Sequence, residues 1–286
     1  MQFLCVAFSK DRAFQLRACL TSMQACMRLD GQAIDVHVIY AASTAGLAES
    51  YKRLARLFPM VAFHRERERE TFQVLLDAVL NVHSHVVFFV VDDCVFYREF
   101  SLGTVAKALG GCESQCLAFH LRLHKNITRS FNRDGPVQVP PLFDRGTHYQ
   151  YLPVLGCEWC YEWDLSGCFY RTKTARQASV MDSLSPPERS HPNKLEVHGN
   201  EALGKLGLFP SAEYPFSACP LEATMSIITV NRVQDVYQNP TYNIVGGSVL
   251  DMDALLAEDR ELDLERYAKS RFQTVHIGSL YLRPGR

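Results

Sequence analysis

No stretch of this 286-residue chain approaches the roughly 18 consecutive apolar residues of a membrane-spanning helix, so no span is expected. The amino terminus, MQFLCVAFSKDR, lacks the positive flank and the small-residue cleavage site of a secretory leader, and reads as a first strand. The expected location is cytoplasmic, free or in peripheral contact with a membrane surface. Neither sign of charge is in excess. Lys and Arg number 30, Asp and Glu 31, for a net charge of −1, so no broad basic field marks a nucleic-acid partner. The one local basic run, residues 65–70, alternates with glutamate as RERERE. Glycine is missing where a phosphate loop would need it: FSKDRAFQL (8–16) has none, and neither GxxxxGK[ST] nor GxGxxG follows the first strand. This disfavours a P-loop enzyme and a Rossmann dehydrogenase, and counts against a nucleotidyltransferase.

Apolar residues make up 47% of the chain, enough to bury a large core. Without a leader, the ten cysteines are expected in a reducing compartment, mostly as small buried hydrophobes. Two spacings, CESQC (Cys112, Cys116) and CEWC (Cys157, Cys160), offer four thiolates for zinc. Against zinc stand the loose first spacing and the absence of a turn glycine in the second. The sequon at Asn126 is expected to be inert.

Periodicity divides the first hundred residues into alternating strands and helices. Strands are expected at 3–9, 34–43, 60–66 and 85–91, and helices at 11–29 (capped by Asp11), 49–57 and 71–82. This order implies an open, mostly parallel sheet with helices on both faces. Beyond it we expect helices at 101–111, 194–206 and 252–269, strands at 116–124, 163–172, 226–234 and 272–282, and a long loop or hairpin over 130–160. The expected unit is one domain, with 1–100 as a nucleotide-binding half and 101–286 as a more irregular half for the acceptor and catalysis.

FFVVDDCVF (88–96) is an apolar strand ending in Asp92 and Asp93. Open α/β sheets bind ligands at the carboxyl ends of their strands. Adjacent carboxylates there repel unless a cation compensates, and Mg2+ or Mn2+ bound by few carboxylates would also meet a diphosphate. The plain alternative is one aspartate capping a helix and the other solvated.

FSKDRAFQLRACLTSM (8–23), FFVVDDCVF, GCFYRT (167–172), HPNKLE (191–196), NRVQ (231–234) and VHIGSLYL (275–282) occur in the order of the blocks of GT-A fold glycosyltransferases, the nucleotide-diphospho-sugar transferases, which this chain resembles. The resemblance implies an α/β GT-A type sheet and transfer of a sugar from a nucleotide-diphosphate donor to a saccharide or glycolipid hydroxyl, metal-assisted and inverting, with a place in polysaccharide assembly. It places Phe8, Ser9, Lys10, Arg12, Asp92 and Asp93 at the donor, with Asp93 and His276 holding Mn2+ or Mg2+. Cys94 stands where the family's DxD motif usually has a second acid, and a thiol is a poor ligand for these ions. Glu196 matches the acid that deprotonates the acceptor, with Glu201 and Asp164 as reserve candidates; the plain role for Glu196 is a first-turn acid on a helix dipole. Asn231 and Gln234 would bond either a sugar or backbone. Trp159, Tyr161 and Trp163 would form an acceptor platform or fill a core. A different class of function, a glycan- or partner-binding domain without catalysis, is supported by Cys94.

Overall fold

The computed structural model describes all residues except 111–113, 152–156, 180–185, 209–210, 212, 235 and 285–286. The first half alternates as expected: β1 (Gln2–Lys10), α1 (Ala13–Cys26), β2 (Ala33–Ala41), α2 (Ala45–Leu57), β3 (Val61–Arg65), α3 (Phe72–Leu80) and β4 (Val86–Val91). β1 pairs in parallel with both β2 and β4, and β2 with β3. Burial on both faces explains the composition of the central strands. Phe3, Cys5 and Ala7 of β1 enter one core, and Leu4, Val6 and Phe8 the other. Val86, Phe88 and Val90 of β4 divide likewise from Val87 and Phe89. A strand that must be apolar at every position cannot alternate.

The second half contributes β5 (Cys94–Phe96), α4 (Leu102–Gly110), β6 (Cys116–His120), β7 (Leu142–Phe143), β8 (His148–Tyr149), β9 (Cys168–Arg171), α5 (Thr172–Ser179), α6 (Pro192–Lys205), β10 (Phe216–Ala218), β11 (Met225–Ile228), α7 (Val249–Ala257), α8 (Leu264–Lys269) and β12 (His276–Ile277). One sheet runs through both halves in the order β7-β8-β10-β6-β9-β4-β1-β2-β3. β9 is antiparallel to β4 and β6 and widens the parallel core. Phe169 of β9 stacks on Phe88 of β4 with centroids 3.9 Å apart.

Residues 88–96 are not one strand. β4 stops at Val91, the chain turns through Asp92 and Asp93, and β5 leaves to pair antiparallel with β11, which carries β12 beside it. Asp92 N donates to Phe8 O at 3.0 Å, and Asp93 O accepts from Ile228 N at 2.8 Å. The two aspartates therefore sit where the chain passes from one sheet to the other.

Several expectations need correction. Asp11 does not cap α1. It adopts φ 57°, and its carboxylate accepts from Ser43 N at 2.7 Å and Ser43 Oγ at 2.5 Å, tying the turn after β1 to the turn after β2. The helix expected over 252–269 splits into α7 and α8, with Asp259 at φ 55° between them. The strand expected over 272–282 is only His276–Ile277. Of the two readings for Trp159 and Trp163, the core one holds: both are fully buried and form no platform. Trp159 Nε1 donates to Ile127 O at 2.9 Å. Trp163 lies against α6 at Gly199, where a Cβ would stand 2.4 Å from the indole. The free cysteines, Cys116 among them, are buried as expected, Cys157 and Cys160 face each other within one turn, and Cys112 lies outside the described residues. No described helix is long and apolar enough to cross a membrane.

Candidate active site

A cleft of about 350 Å3 opens at the carboxyl ends of β1, β2 and β4. Parallel strands explain its position: where they end together, the sheet leaves a crevice that the following loops line. Phe8, Ser9, Lys10, Arg12, Asp92, Asp93, Glu196 and His276 all line it. Glu201 and Asp164 do not. Glu201 lies five residues beyond Glu196, about 140° further round α6 by helix geometry, and is exposed beside His198 and Lys205. Asp164 is buried in an ion pair with Arg122 at 2.7 Å and accepts from Ser166 N at 2.6 Å.

On the first wall, Arg12 Nη1 meets Asp92 Oδ1 at 3.1 Å and Asp93 Oδ2 at 3.0 Å, and Arg12 Nη2 donates to Asn231 O. Asp92 Oδ2 accepts from Ser9 Oγ at 2.8 Å and Lys10 N at 3.3 Å. The Tyr51 hydroxyl contacts Ser9 Oγ at 2.5 Å and accepts from Arg12 N at 3.1 Å. A closed ring of contacts thus fixes Ser9, Tyr51, Arg12 and Asp92. Burial raises the pKa of both aspartates and Arg12 opposes it; Asp93, with Asp92 adding to the rise, is pushed up to about 6. Burial works against the Arg12 charge, but the two carboxylates outweigh it and Arg12 is shifted up.

On another wall, Glu196 projects from the first turns of α6. His191 caps this helix, its Nδ1 accepting from Asn193 N at 3.1 Å, with Pro192 at the first position. Glu196 Oε2 accepts from Leu165 N at 3.1 Å, and the Tyr161 hydroxyl is hydrogen-bonded to the same side chain. Burial, then the nearby charge of Asp164, pushes Glu196 up to about 8. The Arg122 cation relieves this only partly because its Nε is paired with Asp164. Arg122 Nη2 also donates to Glu158 O at 3.2 Å and Tyr161 O at 3.3 Å, holding the loop that presents Tyr161. Asn200 stitches α6 to the same loop, donating to Trp163 O at 2.8 Å and accepting from Trp163 N at 2.9 Å.

His276 Nδ1 contacts Thr229 Oγ1 at 2.9 Å, and burial lowers His276 to about 4, leaving a neutral imidazole. The two amides left open by sequence serve backbone. Asn231 Nδ2 donates to Gly247 O at 2.9 Å, and Gln234 makes two 2.9 Å bonds with Tyr237 main-chain atoms. Glu66 and His191 were not foreseen as site residues, and Tyr161, expected in an acceptor platform or a core, instead bonds Glu196. Of the first two, only His191 carried a signal, a capping residue before the proline of HPN.

The donor set does not fit Mg2+ or Mn2+ well. Both oxygens of Asp92 are engaged, as is one of Asp93. Cys94 is 1% exposed in the core and absent from the cleft lining. Among the described residues, no three His, Cys, Asp or Glu ligand atoms within 4.8 Å of one another lie in the cleft. The one such group, Glu188, His198 and Glu201, involves the exposed side of α6.

No protein-family profile matches the chain. Two solved structures are matched at low likeness. One is S. aureus TarS 1-349 in complex with UDP-GlcNAc, at 12% identity over 90% of this chain and 66% of that one, with a TM-score of 0.48. The other is the mannosyltransferase PcManGT of Pyrobaculum calidifontis in complex with GDP-Man and Mn2+, at 13% identity over 77% and 56%, with a TM-score of 0.41. Neither likeness assigns a residue here. Over 304 aligned residues, covering 97% of its length, the chain is 29% identical to the bifunctional glycosyltransferase pgtA of Dictyostelium discoideum, and it spans 38% of that protein.

Proposed function

We propose that this chain is a glycosyltransferase that moves a sugar from a nucleotide-diphosphate donor to an acceptor hydroxyl. One observation carries the reading: a single cleft at the carboxyl ends of parallel strands holds cations suited to a diphosphate and a carboxyl with the pKa of a general base. The similarity to pgtA over 97% of this chain supports it.

Lys10 lines the cleft beside Asp92, and its ammonium has no hydrogen-bond partner among the described residues. It binds the diphosphate, and Arg232 adds a second cation at the exposed rim. Glu196 takes the proton of the acceptor hydroxyl as that oxygen attacks the anomeric carbon. A pKa near the working pH suits a base that must both ionise and hold a proton. Tyr161 and Leu165 N orient the carboxyl. One base and direct attack give inversion. The acceptor is a saccharide or glycolipid, the latter met by peripheral membrane contact, in surface-polysaccharide or glycan assembly. Glu201 and Asp164 take no part in the proton transfer, and no step passes through a metal.

A thermal-shift panel of nucleoside diphosphates tests the reading. A ligand at about 100 times its Kd stabilises by about 2.7 kcal/mol, so the cognate nucleotide raises Tm and the others do not. No shift with any nucleotide would refute the reading.

A further inference from the structure

The adjacent aspartates have the sequence of a metal site but not its geometry. We infer that Arg12 stands where a divalent cation would stand between Asp92 and Asp93, so that a nucleoside diphosphate binds this cleft without metal. The inference rests on the transferase reading above.

Three observations carry it. First, the carboxylates are occupied. Asp92 Oδ1 and Asp93 Oδ2 converge on Arg12 Nη1 at 3.1 and 3.0 Å, and Asp92 Oδ2 is taken by Ser9 Oγ and Lys10 N. A metal bound there would sit against a guanidinium, which keeps its charge at any working pH. Second, Arg12 is anchored at both ends. Nη2 is held by Asn231 O and the backbone N–H by Tyr51, itself bonded to Ser9. Moving the guanidinium aside would break its contacts to three residues, Asp92, Asp93 and Asn231. Third, the remaining oxygen ligands are too few. The side chain after Asp93 is the buried thiol of Cys94, and His276 has one ring nitrogen committed to Thr229. Arg12 cancels one of the two carboxylate charges, and Lys10 is left for the phosphates.

The test uses the wild-type full chain. The nucleotide identified by the thermal-shift panel is titrated calorimetrically in excess EDTA and again in excess Mn2+. The inference expects Kd values within about threefold of each other. Binding only with Mn2+, or tighter by about thirtyfold or more, overturns it and leaves the transferase reading intact. Binding in neither condition overturns both. A second arm reads Mn2+ affinity directly from the paramagnetic resonance signal of the free ion. His198→Ala is the background, which removes the outer group on α6. There Arg12→Gln frees the two carboxylates, and Mn2+ affinity rises about tenfold or more. Unchanged Mn2+ affinity in a folded Arg12→Gln chain contradicts the inference. If that variant does not fold, the wild-type titration decides.

Discussion

Asp92 and Asp93 on one wall of the cleft share the guanidinium of Arg12, whereas among the described residues no ion pair reaches Glu196 on another. Burial raises all three carboxyls. The paired wall keeps Asp93 near 6, below neutral pH, while Glu196 reaches about 8 because Arg122 is spent on Asp164. A carboxylate held by a fixed cation is a structural anion. One left beside a spent cation is a proton acceptor poised to act. On the proposed function, the first wall is electrostatic scaffolding and the second is the place of proton transfer.

Breaking the first wall has the largest expected effect. Arg12→Ala strands two buried carboxylates and lowers stability by about 3–5 kcal/mol, measured by urea unfolding at pH 7. A loss under about 1 kcal/mol would mean that the pair is solvent-screened. Glu196→Gln breaks the second wall. Turnover falls by about 10²-fold or more while donor Kd holds, read as nucleoside diphosphate released. The same variant sharpens the contrast through pH. The neutral form of Glu196 contributes stability that is full below its ordinary pKa near 4.5 and is lost as pH rises through about 8. Glutamine cannot ionise, so the variant gains on the wild type across that window, by on the order of 1–2 kcal/mol at a half-buried site. A constant difference from pH 5 to 9, by thermal unfolding, would contradict the raised pKa. Gly199→Ala tests what carries Glu196. Its Cβ would meet Trp163 at 2.4 Å and push α6 from the loop, at a cost of about 1–3 kcal/mol. The smallest effect belongs to Glu201→Gln, with turnover unchanged and stability within about 0.5 kcal/mol.

How much of this was legible in sequence follows from the range of the interactions. β1 to β4 and their helices are local patterns, apolar runs against 3.6-residue periods, and they read correctly to within a few residues. Asp92 and Asp93 were legible as lining a cleft because a strand end is a place in the fold. Arg12 was legible as a cleft residue, but its pairing across 80 positions was not. Glu196 was set ahead of Glu201 by the resemblance alone, and the start of α6 at Pro192 shows that it is Glu196 that turns inward. Sequence left Trp163 between core and platform because nothing local announces that Gly199 leaves room for its ring. The strand containing β12 was drawn too long and the α7–α8 break was missed, because these short spans are set by tertiary contacts rather than by pattern.

The measurement that tests the central claim most directly is transfer of the donor sugar to water across pH 5–9, wild type against Glu196→Gln, with the nucleotide chosen by the thermal-shift panel. The account predicts a wild-type rate that climbs with pH and levels near 8, and a variant about 10²-fold slower with no such limb. Equal rates in the two proteins, or a variant that keeps the pH limb, would contradict it.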